Sequence, residues 1–181
     1  MLAYCGLQVA SMTDSLRLLL AIMALSAASG SGRQAAAVRL HVPLMKQPYN
    51  LCLPASVSMV LSYWGVEVDP ATIADHIPIY KDGTTGEDML RFVESVGFRG
   101  FLIQPTYEEL LQHLEKQRPL IVVLPADGSG RHAMVLVGVD SAIQTLWLND
   151  PAIGQARRLS VASFQKQWDA SRRWTFLIVP R

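Results

Sequence analysis

Residues 47–65 read QPYNLCLPASVSMVLSYWG, and this stretch predicts the helix around which the domain is organised. Its apolar face is formed at helical spacing by Val57, Val60, Leu61 and Trp64. Asn50 is placed to cap the helix, Pro54 suits a first turn that needs no backbone N–H from it, and Gly65 ends the run. The pattern therefore predicts that Cys52 lies at the N-terminus of a buried helix.

Capping residues and apolar runs predict the elements that follow this helix. Further helix starts are indicated at Asp69, at Thr85 with Asp88, and at Thr106 with Glu109. Strands are predicted at 38–44, 98–103, 120–124, 132–139, 143–148 and 174–179, and a last helix near 161–168. Helices come mainly first and strands mainly last, which favours an α+β domain with an antiparallel sheet over alternating βαβ units.

The composition is that of a folded domain without a nucleic-acid or metal partner. The chain has 181 residues, of which 50% are hydrophobic and 17% charged, so one domain with a packed core is expected. A formal net charge of +1 provides no basic footprint for nucleic acid. His41, His76 and His113 have no partner at metal-ligand spacing, so neither a metal nor a cofactor is expected.

Residues 1–37 have the order of a secretory signal peptide. A short apolar core at 16–25 contains a basic residue, Arg17, near its start, and small residues follow from 26 to 37. The core is shorter than the roughly 20 residues of a membrane span. We expect cleavage near Ser29 or Val38 and an exported domain at 38–181, either periplasmic or secreted. An uncleaved segment would anchor the protein in the membrane.

The domain at 38–181 contains one cysteine, Cys52, and residues that can activate it. Cysteine attacks as the thiolate, which a helix N-terminus and a neighbouring histidine both stabilise. His132 begins an apolar strand after a glycine-rich loop, and Asp150 ends the next strand, so pairing of the two strands would let Asp150 orient the imidazole. Gln47 can donate an amide N–H to an oxyanion beside the backbone N–H of Cys52.

Each of these residues also has a purely structural explanation. Free cysteine is usually a small buried hydrophobe, a strand-end histidine is often simply hydrogen-bonded, and Asp-Pro is a common turn. Asn149 precedes Asp150, but neighbouring strand residues point to opposite faces, so only one of the two can meet the ring; we predict Asp150. The arginine pairs at 157–158 and 172–173 are interpreted as solvated surface.

Three segments resemble those of a known family. Residues 47–65, 131–140 and 148–154 are similar to the nucleophile helix, histidine strand and Asp-Pro segment of the bacteriocin-processing, double-glycine leader peptidase family. That family belongs to the papain-like cysteine peptidases, and the likeness covers about residues 38–180. The resemblance implies a papain-like fold with the nucleophile helix packed on an antiparallel sheet. It also implies Cys52 as nucleophile, His132 as base and acid, Asp150 as ring orienter and Gln47 as oxyanion donor.

The resemblance implies a cysteine peptidase that hydrolyses a peptide or protein substrate, and the segment at 1–37 implies that it is exported. Two differences from the family bear on this function. Relatives commonly carry glycine after the cysteine, whereas this chain has Leu53, which would narrow the cleft or shift its specificity. Many relatives are joined to an ABC transporter, so here the transporter or secretion system is expected to be a separate protein. The alternatives are a transpeptidase or amide-forming acyl transferase at the same site, and a non-catalytic peptide-binding module.

Overall fold

The structure is a computed structural model that describes residues 37–126 and 130–181. The predicted signal peptide at 1–37 lies outside the described residues except for its last position, and so does most of the predicted loop at 127–130. Between these limits the helices are α1 Cys52–Tyr63, α2 Pro70–Ala74, α3 Gly86–Ser95, α4 Tyr107–Glu115 and α5 Val161–Ala170. The strands are β1 Val38–Arg39, β2 Phe98–Ile103, β3 Leu120–Pro125, β4 Arg131–Asp140, β5 Thr145–Asp150, β6 Gln155–Ser160 and β7 Thr175–Pro180.

All seven strands belong to one antiparallel sheet. Six of them follow one another in the order β2-β7-β3-β4-β5-β6, and β1 pairs with β4 outside this path. The helices pack on this sheet, with α1 mainly against β4, α3 against β2 and α5 against β3. The predicted α+β class with an antiparallel sheet is confirmed.

Helix α1 lies in the centre of the core because nearly all of its sides are apolar or small. Ten of its twelve residues, from Leu53 to Ser62, are buried. Complete burial of a valine or leucine side chain contributes about 1.5–3 kcal/mol, so the apolar residues of α1 fix it firmly against the sheet. After the last helical residue, Tyr63, the chain leaves the helix at Gly65, whose φ of 87° suits glycine, and the N–H of Val66 donates to the carbonyl of Leu61 at 2.9 Å.

The predicted caps are mostly confirmed. The side chains of Asp69 and Thr85 accept from the backbone N–H groups of Ala71 and Asp88, which lie in the first turns of α2 and α3. Thr106 forms a complete capping box with Glu109 at the start of α4.

Two sequence predictions were wrong, and one strand was missed. Asn50 does not cap α1: the N-cap is Leu51, and no side chain accepts from the first turn. The first strand covers only Val38–Arg39 rather than 38–44. Strand β6, Gln155–Ser160, was not predicted because it is an exposed edge strand without an apolar face to give a period of two.

No helix in the described part of the chain is long and apolar enough to cross a membrane.

Candidate active site

Cys52 is the first residue of α1, and its side chain is half-buried. Because no side chain caps this helix, the N–H groups of its first turn keep their capacity to bind an anion. The backbone N–H of Leu53 contacts the thiol from the helix, and that of Ala133 contacts it from β4. The thiol therefore lies between the start of α1 and the start of β4.

The pairing of β4 with β5 brings His132 and Asp150 together. Leu136 and Leu148 are direct partners in the two strands, so they share a face of the sheet. His132 lies four residues before Leu136, and Asp150 lies two residues after Leu148, which puts both on that same face. His132 Nε2 lies 2.7 Å from Asp150 Oδ1, and this contact leaves Nδ1 as the free ring nitrogen.

The neighbouring Asn149 points to the opposite face of the sheet. It is paired with Val135 and is only 5% exposed, and its amide donates to the carbonyl of Val42 at 3.0 Å. The register of the two strands thus directs Asp150, and not Asn149, to the histidine, as expected from the alternation of strand side chains.

Gln47 lies at the same end of the sheet, on the loop that leads to α1. Its backbone N–H donates to the carbonyl of Pro151 at 2.8 Å, so this loop is bound directly to the residue after Asp150. The side-chain Oε1 of Gln47 is buried and has no hydrogen-bond partner among the described residues. The structure therefore brings all four predicted site residues to one end of the sheet.

The environment of Cys52 favours the thiolate. Burial by itself raises the pKa of the thiol. This effect is outweighed by contacts that lower the pKa: the hydrogen bond and the charge of His132, and the backbone N–H groups of Ala133 and Leu53. The pKa of Cys52 consequently lies below its ordinary value. A thiol with a lowered pKa next to a histidine is the arrangement that makes cysteine nucleophilic at neutral pH.

His132 is held in its charged form by its two partners. Burial lowers the pKa of the imidazole, but the hydrogen bonds and negative charges of Asp150 and Cys52 raise it to about 9. Burial raises the pKa of Asp150, yet its contacts with His132, with the N–H of Ala152 and with Arg157 bring it below its ordinary value. The three groups therefore favour a thiolate, an imidazolium and a carboxylate at neutral pH.

Away from Cys52, the described residues form a groove but no metal site. Among residues 37–126 and 130–181 no group of three His, Cys, Asp or Glu side chains could hold a metal ion. A groove of about 750 Å³ is lined by residues of β2, β7 and α4 and by Trp64 after the C-terminus of α1, and none of the four candidate residues lines it.

The model of one protein family matches most of the length of the chain. The profile of the Peptidase_C39 like family matches residues 39–175, which include Gln47, Cys52, His132 and Asp150. The chain belongs to this family. No curated protein sequence matches it.

Solved structures show the same fold for this C39-like chain. A protein of Bacillus anthracis described as a C39-like peptidase aligns with a TM-score of 0.69 and 17% identity over 80% of this chain and 98% of its own. The peptidase domain of Streptococcus ComA, a bifunctional ABC transporter, has a TM-score of 0.66 and 22% identity over 78% and 100% of the two chains. A double-glycine motif protease from an AMS/PCAT transporter, solved with its leader peptide, has a TM-score of 0.64 and 21% identity over 80% and 95%.

Leu53, which follows Cys52 in this C39-like domain, packs in the core. Leu53 is 7% exposed and belongs to the same buried cluster as Val57 and Leu40. Its isobutyl group is therefore accommodated inside the domain, while its backbone N–H contacts the thiol of Cys52. The substitution at this position is thus absorbed by the packing of α1 and leaves the contacts of the thiol in place.

Two residues near the site were not predicted from the sequence. Arg157, interpreted as solvated surface, lies on β6 with Nη1 3.7 Å from Asp150 Oδ2, although its side chain is 43% exposed. Asn50, predicted as a helix cap, instead donates its amide to the carbonyls of Tyr80 and Lys81. No local pattern could have revealed either contact, because both join segments that the sequence alone does not bring together.

Replacing Arg157 by glutamine is expected to change activity only slightly. Exposed ion pairs contribute about 0–1 kcal/mol, so kcat/KM should change less than about fivefold, and the difference should disappear at high salt. Arg158→Gln is the matched control, because the adjacent strand residue points to the other face. A loss of a hundredfold or more in Arg157→Gln would show that the guanidinium acts directly in the reaction.

Proposed function

We propose that this C39-like protein is an exported cysteine peptidase that hydrolyses peptide bonds through Cys52, His132 and Asp150. The thiolate of Cys52 attacks the substrate carbonyl, and the amide of Gln47 with the backbone N–H of Cys52 stabilises the oxyanion. The His132 imidazolium then protonates the leaving amine as the C–N bond breaks, which leaves a thioester on Cys52. Water, deprotonated by neutral His132, attacks the thioester; the C–S bond breaks, the peptide leaves as a carboxylic acid, and the Cys52 thiolate and the His132 imidazolium are restored.

The observation that carries this proposal is the chain of contacts from Asp150 through His132 to Cys52. The 2.7 Å contact between Asp150 Oδ1 and His132 Nε2 fixes the ring, and the other ring nitrogen remains for the thiol. Opposite shifts of the two pKa values, downward for Cys52 and up to about 9 for His132, are what a nucleophile and its proton donor require. A merely structural cysteine needs neither shift.

For the substrate, we propose a peptide with a double-glycine leader, delivered by a separate transporter or secretion system. The support comes from proteins of the same fold: one was solved with a leader peptide bound, and another is the peptidase domain of an ABC transporter. Both are below 25% identical to this chain, so the test must include peptides of other sequence.

The direct test is incubation of the purified protein with a double-glycine leader peptide and with a mixed peptide library, followed by mass spectrometry of the products. Hydrolysis should give two fragments with a free carboxylate at the new C-terminus. Adding a primary amine separates the alternative at the same site: an acyl transferase would convert the new C-terminus into an amide. Absence of any cleavage together with an unreactive Cys52 would contradict the peptidase and favour a peptide-binding module.

The pH dependence of hydrolysis is expected to be bell-shaped. Activity should rise on the acid side as Cys52 ionises below its ordinary pKa and should fall near pH 9 as His132 loses the proton needed by the leaving amine. Alkylation of Cys52 by iodoacetamide should share the acid limb but not the fall near pH 9, because the thiolate persists there. Initial rates between pH 4 and pH 11 measure both curves; a fall of alkylation near pH 9 would contradict the assignment.

Export is tested by the N-terminus of the native protein. Mass spectrometry of culture fractions should find a chain that begins near Ser29 or Val38 outside the cytoplasm, as removal of a signal peptide at 1–37 requires. A cytoplasmic species that retains residues 12–37, the part of the segment that starts at Met12 and contains the apolar core, would contradict this part of the proposal without affecting the chemistry.

A further inference from the structure

Asn50 has an unusual backbone conformation two residues before the nucleophile. Its φ of 59° lies in the left-handed region, which residues other than glycine seldom adopt and asparagine tolerates best. The N–H of Leu51 then donates to the carbonyl of Pro48 at 3.2 Å and closes a turn that leads directly into α1. The direction in which the chain enters α1 is thus determined at Asn50.

The side chain of Asn50 joins this turn to a second turn, at residues 80–83, that is distant in the sequence. Its Nδ2 donates to the carbonyl of Lys81 at 3.2 Å and to that of Tyr80 at 3.4 Å. Two backbone hydrogen bonds between Tyr80 and Gly83, of 2.7 and 3.1 Å, close the segment that receives these contacts. Gly83 is buried, and a Cβ placed on it would lie 3.7 Å from Asn50 Oδ1, so the two turns pack closely.

The buried side chains of α1 hold the helix against the sheet, but its first turn has few side-chain hydrogen bonds that could set the position of its end. No side chain caps it, and its first turn contains no acidic residue. Yet the thiolate of Cys52 depends on this turn, because the N–H of Leu53 contacts the thiol from the helix while His132 and Ala133 contact it from β4. A displacement of the first turn relative to β4 would weaken these contacts and raise the pKa of the thiol.

We propose that Asn50 is a positioning residue for the nucleophile. Its left-handed backbone and the hydrogen bonds from its amide to Tyr80 and Lys81 hold the first turn of α1 so that the Cys52 thiol stays aligned with His132. The consequence for catalysis rests on the proposed peptidase function, whereas the consequence for the reactivity of the thiol does not.

The test separates the amide from the backbone with two variants. Asn50→Gly keeps a residue that readily adopts positive φ and removes only the side-chain hydrogen bonds, whereas Asn50→Ala also disfavours the backbone conformation. The rate of iodoacetamide alkylation at Cys52, read by peptide mass spectrometry, is measured against pH. In Asn50→Gly the acid limb should move to higher pH by about half a unit, the size expected for a helix-terminus contact, and further in Asn50→Ala. We also expect kcat to fall about tenfold, with KM changed less than twofold.

Gln144→Gly is the matched control. Gln144 also has a left-handed backbone, with φ 50°, and its amide also donates to a carbonyl, that of Ser141 at 2.7 Å. It lies in the turn between β4 and β5, at the opposite end of the hairpin from His132 and Asp150. Its replacement should therefore leave the alkylation curve unchanged.

The alkylation curve distinguishes failure of this proposal from failure of the peptidase function, because it needs no peptide substrate. An Asn50→Gly protein that is folded by circular dichroism and alkylates like the wild type would overturn the positioning role. An Asn50→Gly protein that cannot fold would also overturn it, since the residue would then serve overall stability. A shifted curve in a protein without peptidase activity would support the positioning role and defeat the proposed function alone.

Discussion

His132→Ala is expected to lower kcat/KM for peptide hydrolysis by about 10³-fold or more, because it removes the proposed proton donor and the cation that favours the thiolate of Cys52. The same change should shift alkylation of Cys52 towards the ordinary thiol range near pH 8.5, whereas the wild type should react at lower pH because its pKa is lowered. The helix terminus contributes about 0.3–1 kcal/mol, less than one pKa unit, and the hydrogen bond from His132 is the largest of the contacts that lower the pKa of Cys52.

His41→Ala provides the control for loss of a histidine, because His41 is exposed and lies outside the site. Its activity and alkylation curve should equal those of the wild type. If wild-type Cys52 itself reacts only above about pH 8, the thiol is unperturbed and the domain would be a binding module of peptidase fold.

Asp150→Asn is expected to lower kcat by about 10²-fold or more while leaving the thiol in place. The carboxylate fixes the ring through the 2.7 Å contact with His132 Nε2, and its negative charge stabilises the imidazolium. A neutral amide stabilises the imidazolium poorly. Because the negative charge of Asp150 raises the pKa of His132, its loss should lower that pKa from about 9. The alkaline limb of the hydrolysis curve should therefore move to lower pH.

Asn149→Ala tests the register of β4 and β5, which directs Asp150 to His132 and Asn149 to the opposite face of the sheet. Asn149 donates to the carbonyl of Val42 in a buried position, so its removal should lower the free energy of unfolding by about 1–3 kcal/mol, with little change of the pH profile. Full activity in Asp150→Asn together with loss of activity in Asn149→Ala would mean that the register is displaced by one residue. Urea unfolding and initial rates measure the two effects separately.

The local elements of the fold were predictable because their signals are local. Helix α1 could be predicted from apolar residues at helical spacing, a proline in the first turn and a terminal glycine, and α4 from a capping box. Strand β6 could not be predicted, since an exposed edge strand containing Arg157 and Arg158 has no alternation of burial for a sequence pattern to reflect. The prediction that Asn50 caps α1 was wrong for a related reason. Asparagine favours both helix caps and left-handed turns, and only the surrounding structure selects between the two.

The sequence by itself determined that this is an α+β domain, that Cys52 begins a buried helix, and that the chain resembles the leader-processing peptidases, a family relation that the Peptidase_C39 like match confirms. Only the tertiary structure decided which contacts these residues make: the 2.7 Å distance between Asp150 and His132, Arg157 at 3.7 Å from the carboxylate, and Asn50 joined to the turn at Tyr80. The physical reason is the range of the interactions. Propensity, capping and periodicity act over a few neighbouring residues, whereas the distance between two side chains of a site depends on strand register and packing across the whole sheet.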